Sequence, residues 1–137
     1  MLTLLYASRA QIGPDEDWSL FAQAAGRNSA LGVTGALFTC GTYFAEVLEG
    51  DDATVEALMR SIAAEPRHAD ARLLLREQIA ARRFNRFHIL PCDHSTFARR
   101  AVERARAASP DDRDQAARRL NRLLQALAWA RTAPMAA

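Results

Sequence analysis

The sequence TGALFTCGTYFAEVLEG, residues 34–50, gives the strongest indication of the fold of this chain. Residues 36–39 and 43–49 are mostly apolar, and the second of these runs contains the β-favouring Tyr43, Phe44 and Val47. Gly41 lies between the two runs, where a tight turn uses the conformational freedom of glycine. The stretch therefore predicts a β-hairpin, with the second and third strands of the chain on either side of Gly41.

The regions on both sides of this hairpin predict alternating strands and helices. Residues 2–7 predict a buried strand, and after a break at residues 11–14 the acidic residues 15–17 favour a helix start. This first helix should run to Gly26 or Ala30, with its apolar side formed by Trp18, Phe21, Ala22 and Ala25. A second helix follows Gly50, presents Val55, Leu58, Met59 and Ile62 on one face, and ends at Pro66.

Two further strands are predicted, around residues 72–79 and over residues 84–90. The order β-α-β-β-α-β-β predicts an α+β fold, a ferredoxin-like sheet with a fifth strand and two helices on one face. Residues 95–108 and 111–131 predict C-terminal helices. The second of them carries an apolar stripe, which we assign to Leu120, Leu123, Leu124, Leu127 and Trp129.

We therefore divide the chain into a domain over residues 1–92 and a helical extension over residues 93–137. The apolar stripe of the extension needs a partner surface, so we expect it to pack on the free sheet face or in a dimer interface. A homo-oligomer is accordingly the expected assembly.

Composition excludes several classes of protein. The chain has 137 residues, enough for one core, and it contains no apolar run of about 18 residues that would span a membrane. A net charge of +2 is too small to indicate nucleic-acid binding. The N-terminus lacks the features of a secretory signal, and the two cysteines, Cys40 and Cys92, suggest free thiols. We therefore expect a cytoplasmic protein.

Four segments of the chain, in order, resemble the BLUF family of flavin-binding blue-light sensors. They are YASRA at residues 6–10, RNSALGVTGALF at 27–38, VLEG at 47–50 and IAARRF at 79–84. Arg67 and His68 resemble the loop after the second helix of the family. The resemblance covers residues 1–92, and it implies that a flavin, usually FAD, lies between the two helices that cover the sheet.

The resemblance also implies a relay of hydrogen bonds from a tyrosine through a glutamine to the flavin. Tyr6 matches the tyrosine, whose phenol can donate and accept a hydrogen bond; the alternative is an aromatic that only packs in its strand. Glu46 stands at the position of the glutamine. Because Phe44 and Leu48 flank it on the same face, we place Glu46 on the flavin side rather than in solvent.

A buried Glu46 is expected to resist ionisation, because burial disfavours charge and raises the pKa of a carboxyl. When protonated, it has one O–H donor and one C=O acceptor. That pattern is similar to the imidic-acid form that is often proposed for the illuminated state of the family's glutamine. A neutral Glu46 would therefore hold a bound flavin in a partly light-like hydrogen-bonding pattern in the dark.

The remaining site residues are implied by the same resemblance. Asn28 matches the flavin-binding asparagine, although an asparagine there is also typical of a helix C-cap. Arg27 beside it is a candidate for the ribose or phosphates. Ser61 stands where some relatives have an arginine for the FAD phosphates, and the adjacent Arg60 is a weak substitute. On the fifth strand, Phe87 and Ile89 replace the tryptophan and methionine that often track the signal in the family.

Two alternatives differ from a photoreceptor in class. A degenerate module that has lost flavin and binds proteins is suggested by Glu46, Ser61 and Ile89. An acylphosphatase-type hydrolase would present Arg27 and Asn28 to an anion, but the glycine-rich phosphate loop is absent. The three histidines show no metal-ligand spacing, so no metal is expected. We expect a sensor that is not an enzyme and that signals to an unidentified downstream protein.

Overall fold

The strands and helices succeed one another in the order that the sequence predicts. A computed structural model describes residues 1–10, 18–39, 42–66, 68–90 and 96–132 of the chain. The elements are β1 Leu2–Ala10, α1 Trp18–Ala30, β2 Thr34–Thr39, β3 Tyr43–Gly50, α2 Asp52–Ala64, β4 His68–Gln78, β5 Phe87–Leu90, α3 Thr96–Ala107 and α4 Arg113–Thr132. The break and acidic residues at 11–17, Cys40, the turn at Gly41, Arg67, Cys92 and His94 lie outside the described residues.

The five strands form one mixed sheet in the order β4-β1-β3-β2-β5. β1 is antiparallel to both β3 and β4, and β2 is antiparallel to β3, so the first four strands give the ferredoxin-like arrangement. β5 is added at the edge and runs parallel to β2. The predicted α+β fold with a fifth strand is confirmed.

Side chains alternate between two buried faces of this sheet. Tyr6, Leu37, Phe44 and Leu48 pack with α2 residues in one apolar cluster, against which Phe21 and Ala25 of α1 also pack. The α2 members of this cluster are Val55, Leu58, Met59 and Ile62, as the helical spacing predicts.

The opposite face is covered by the C-terminal helices. Ala36, Phe38, Ala45 and Val47 from the sheet share a second cluster with Val102 of α3 and with α4 residues. The α4 residues in or against this cluster include Leu120, Leu123, Leu124 and Leu127. Because both sheet faces are covered, β1 is apolar along most of its length.

A glycine in β2 allows a close approach between two central strands. Gly35 has a φ of +147°, and a Cβ at this residue would lie 1.9 Å from the carbonyl oxygen of Val47 on β3. No other residue type fits this geometry without displacing the backbone. Gly35 therefore allows β2 to lie close against β3, the strand that carries Glu46.

Some expectations at the ends and edges of elements are wrong. Ala22 and Trp129 are exposed, because each stands beside the buried stripe of its helix rather than in it. β4 begins at His68 rather than near residue 72, since it continues its pairing with the end of β1. β5 begins at Phe87 rather than at residue 84, because the preceding residues form a loop that is fastened to Glu49.

Candidate functional site

The two central strands bring Tyr6 and Glu46 together on the face covered by α1 and α2. The residues are direct partners in the antiparallel pairing of β1 with β3. The Tyr6 hydroxyl donates a hydrogen bond to Glu46 Oε1 at 2.5 Å. Tyr6 is fully buried and Glu46 is 3% exposed. A short hydrogen bond between two buried ionisable groups is therefore the centre of this site.

Burial controls the protonation of both groups. Removal from water raises the pKa of Glu46 to about 7, while the hydrogen bond from Tyr6 and the charge of Arg27 act in the opposite direction. Burial also raises the pKa of Tyr6 well above its ordinary value, and the adjacent Glu46 raises it further. Near neutral pH, Tyr6 is thus a neutral donor, and both the acid and the carboxylate of Glu46 are populated.

The backbone is irregular beside Tyr6. The pairing of β1 with β4 shifts between Leu5 and Tyr6, whose partners are Leu75 and Leu73, so Leu74 is an extra residue on β4. Such β-bulges bend a strand and are frequent next to functional sites, where they redirect a side chain. This irregularity lies directly beside the residue that donates to Glu46.

The amide of Asn28 is buried near the end of α1 without capping the helix. The Val33 N–H donates to Asn28 O at 2.8 Å, and the Gly32 N–H donates to Ser29 O at 3.0 Å. Gly32 has a φ of +71°, so these two bonds form a Schellman motif that closes the helix through its backbone. The side chain of Asn28 is only 1% exposed, and its Oδ1 has no partner among the described residues.

This unpaired amide oxygen supports a polar ligand, since a buried acceptor without a hydrogen bond costs about 1–3 kcal/mol. The edge of a flavin ring offers N–H groups and carbonyls, which suit an amide. Arg27, the neighbour of Asn28, is exposed, yet its charge lowers the pKa of both Tyr6 and Glu46. The end of α1 thus brings the charge of Arg27 close enough to act on the buried pair, and it carries a buried amide whose oxygen has no partner among the described residues.

The other predicted residues lie at different distances from this centre. Phe87 is buried in the same cluster as Tyr6, and Ile89 is half-buried. Ser61 is exposed on α2. Arg60 lines a groove of about 280 Å³ between α2 and the edge strand β4, together with Leu73 and other residues. Arg60 is therefore turned toward β4, and the predicted roles of Arg60 and Ser61 stay predictions.

A second buried carboxylate, on Glu49, is not among the residues that the sequence predicts for the site. Its Oε1 accepts hydrogen bonds from Thr34 Oγ1 at 2.8 Å and from the Phe84 N–H at 2.8 Å, and both of its oxygens accept from the Arg83 N–H. Glu49 fastens the loop before β5 to the end of β3. The VLEG segment at residues 47–50 is the only sequence signal for this contact, and by itself it indicates no more than a strand end.

Two other features are absent from the described ranges. There, no group of three or more His, Cys, Asp and Glu residues is arranged to hold a metal ion. None of the helices in the described part of the chain is both long enough and apolar enough to cross a membrane.

The sequence matches a known protein family over most of its length. The family described as BLUF, sensors of blue-light using FAD, matches residues 1–89, which is more than half of the chain. No curated protein is similar enough in sequence to count as a match.

Several solved structures resemble the chain. BlrB, described as a BLUF protein in its dark state, is 31% identical, with a TM-score of 0.72 over 91% of this chain and 95% of BlrB. Klebsiella pneumoniae BlrP1, in a complex with calcium and cyclic di-GMP, is 30% identical, with a TM-score of 0.66 over 98% of this chain but only 36% of BlrP1. BlsA in its photo-activated state is 19% identical, with a TM-score of 0.69 over 90% of this chain and 94% of BlsA, and shows the shared fold alone.

Proposed function

Because the chain belongs to the BLUF family of flavin-binding blue-light sensors, we propose that it is a photoreceptor for blue light in which Tyr6 and Glu46 form the hydrogen-bond relay to FAD. The observation that carries this proposal is the bond from the Tyr6 hydroxyl to the buried Glu46 carboxyl. The five strands and the helices α1 and α2 lie within residues 1–92, which we propose as the flavin-binding domain. BLUF domains are sensors rather than enzymes, so the proposed outcome is a signal and not a product.

A bound flavin would supply the absorption of blue light and accept an electron after excitation. Asn28 would bind the ring through its amide, and Arg27 would meet the ribose or phosphates. Tyr6 is the only phenol on this face among the described residues, because Tyr43 belongs to the opposite cluster. When it loses an electron, its hydroxyl can pass a proton along the existing hydrogen bond to Oε1 of the carboxylate form of Glu46. The acid form would accept that proton only by releasing its own from the other oxygen toward the flavin site.

Glu46 sets the state from which this relay starts. As a neutral acid it donates one hydrogen bond and accepts another, whereas as a carboxylate it only accepts. A pKa of about 7 leaves both forms populated near neutral pH. The acid would present an O–H donor toward the flavin in the dark, a pattern similar to the imidic-acid form that is proposed for the family's glutamine only after light. We therefore propose a sensor with a reduced contrast between its dark and illuminated states.

The helices α3 and α4 would carry the signal to a separate protein. They pack on the face of the sheet opposite Glu46, and Val47, the next residue of β3, is in their cluster. A change at Glu46 thus reaches the α3–α4 face through a single strand. BLUF relatives differ in length beyond the sensor, since the chain matches 95% of BlrB but only 36% of BlrP1.

The first test of this function concerns the flavin site at Asn28. Replacing Asn28 with alanine should raise the Kd for FAD about tenfold or more, because one charge-free amide hydrogen bond contributes about 1 kcal/mol and the ring edge would lose up to two. The Kd is measured by titrating FAD into the flavin-freed chain and following flavin fluorescence. Ser29→Ala, at the next and exposed position, is the matched control and should leave the Kd unchanged. Equal affinities of the two variants would place the ring elsewhere.

The second test is a pH dependence of stability. The pKa of Glu46 is about 7 in the folded chain, against an ordinary value of 4.5, so the folded state binds the proton more tightly than the unfolded state. The resulting stabilisation is complete below pH 4.5 and is lost as the pH rises through about 7, a change of about 3 kcal/mol. Urea unfolding of the flavin-freed chain measures it against Glu46→Gln, which cannot titrate. The same pH profile in both proteins would contradict a buried, titrating Glu46.

A further inference from the structure

A second cavity lies on the face of the molecule opposite Tyr6 and Glu46. It has a volume of about 380 Å³, which is within the range of ligand sites in proteins. The loop before β5 contributes Arg82, Phe84 and Asn85, and α4 contributes Gln125 and Trp129. We call this cavity the α4 pocket. Phe84 belongs to the cluster beneath α3 and α4, so the α4 pocket is separate from the proposed flavin site.

The α4 pocket is surrounded by positive charge that the described residues leave mostly uncompensated. Arg83 forms an ion pair with Glu77, whereas no carboxylate of the described residues pairs with Arg82, Arg86 or Arg131. The two segments that form the pocket, residues 79–90 and 115–132, contain no acidic residue at all. Such a surface favours a negatively charged occupant.

The floor and wall of the α4 pocket are aromatic. Phe84 is buried at the floor, while Trp129 is 72% exposed. An exposed tryptophan beside arginines is a frequent anchor in protein interfaces, because it buries a large area at little cost in side-chain entropy. Neighbouring His88 is held neutral, since burial lowers its pKa and the charges of Arg86 and Arg131 lower it further. It therefore adds a polar group without adding charge.

The loop that forms one side of the pocket is held in place before any partner arrives. Glu49 accepts the backbone N–H groups of Arg83 and Phe84. Arg82 Nη1 donates to Thr34 Oγ1 at 2.8 Å and to Glu49 O at 3.2 Å. A preorganised surface loses less entropy when it binds. These bonds also connect the pocket to β3, three residues from Glu46.

We propose that the α4 pocket binds an acidic segment of a partner protein, with an aromatic or branched apolar side chain of that segment packed against Trp129. Basic residues continue beyond the pocket along α4, where Arg119 and Arg122 are exposed, so the surface suits an extended chain better than a small anion. This inference names the partner chemistry of the proposed sensor. It rests on the proposed function only in identifying that partner as the protein that receives the light signal.

A labelled peptide tests the proposal directly. The probe is a fluorescein-labelled peptide of Asp and Glu residues around one central Phe, and binding to the purified protein is followed by fluorescence anisotropy in the dark. We expect saturable binding that weakens with added salt. The same peptide with Asn and Gln in place of the acids should bind at least tenfold more weakly. Equal binding of the two peptides, or no binding of the acidic one, would overturn the proposal.

Variants locate the binding on the surface. Arg82→Gln with Arg131→Gln should raise the Kd about tenfold or more, and Trp129→Ala, at an exposed position, should raise it several-fold. Arg100→Gln with Arg104→Gln removes the same charge from exposed positions of α3 and should change the Kd less than twofold. An equal loss in the control pair would mean non-specific attraction. If the double Arg82 and Arg131 variant altered only self-association, the occupant would be a second copy and the proposal would fail.

Because peptide binding is measured in the dark, its result does not depend on whether the protein responds to light. If the protein binds the acidic peptide but never responds to light, the photoreceptor function is contradicted and the proposed docking site is supported. If the protein responds to light but does not bind the peptide, the photoreceptor function is supported and the proposed docking site is contradicted.

Discussion

The Glu46→Gln variant is expected to absorb at shorter wavelength in the dark than the unaltered protein, and to shift farther to longer wavelength under blue light. In the relay proposed for the unaltered chain, the neutral acid of Glu46 would donate to the flavin before illumination. A glutamine at this position would instead have its ordinary amide form in the dark, with a C=O acceptor and N–H donors, and would change only under light. The substitution should therefore increase the spectral difference between the dark and illuminated states, which the proposed acid at Glu46 would reduce.

The size of this shift is set by the energy of one hydrogen bond. If the hydrogen bond changes the energy gap between the ground and excited states by about 1 kcal/mol, a band at about 450 nm moves by about 7 nm. A change of this size is large compared with the precision of a difference spectrum. The measurement is the absorption of both proteins, in the dark and under blue light, at a pH below 7, where the acid form of Glu46 predominates.

Glu49→Gln provides the matched control for this substitution. It makes the same chemical change on the same strand, but Glu49 contacts Thr34 and the loop before β5 instead of Tyr6. We expect it to reduce the free energy of unfolding and to leave the flavin band in place. Identical dark spectra for Glu46→Gln and the unaltered protein would mean that Glu46 does not contact the ring.

The Tyr6→Phe variant is expected to lose the reversible photoresponse while it retains its flavin. Phenylalanine fills the buried space but has no hydroxyl, so it neither donates to Glu46 nor releases a proton with an electron. The yield of the light-induced spectral shift should fall at least tenfold. Transient absorption after a blue pulse measures this yield, and the flavin content of the purified variant shows whether the site is intact.

Tyr43→Phe is the corresponding control, because Tyr43 is a phenol on the opposite face of the sheet. Its ring lies 4.9 Å from the guanidinium of Arg106, and loss of its hydroxyl does not alter the pair of Tyr6 and Glu46. We expect a normal photoresponse from this variant. A persistent reversible shift in Tyr6→Phe would instead assign the electron and proton to another donor.

The fold could be predicted from the sequence because its signals are local. Alternation in residues 43–49 predicts which side chains share a face, and the hairpin is indicated by two short apolar runs around Gly41. The spacing of Val55, Leu58 and Ile62 predicts the buried side of α2 in the same way. Each of these patterns reports on residues close together in the chain, where geometry leaves few alternatives.

The site was only partly predictable, because it depends on contacts between distant segments. No local pattern shows that Glu49 accepts the N–H groups of residues 83 and 84, since the loop and β3 meet only in the fold. The unpaired amide of Asn28 likewise becomes visible only once Gly32 and Val33 are seen to close the helix. The exposure of Trp129 differs from prediction because a single helical position moves a side chain by about 100°.

The absorption spectrum of the purified protein, before and after blue light, is the decisive measurement for a relay formed by Tyr6 and Glu46. We expect a bound oxidised flavin whose band moves reversibly to longer wavelength, by less than in the Glu46→Gln variant. A protein that binds no flavin even after incubation with FAD would refute the photoreceptor function and would favour a module that only binds other proteins. A bound flavin that does not respond to light would refute the relay of Tyr6 and Glu46.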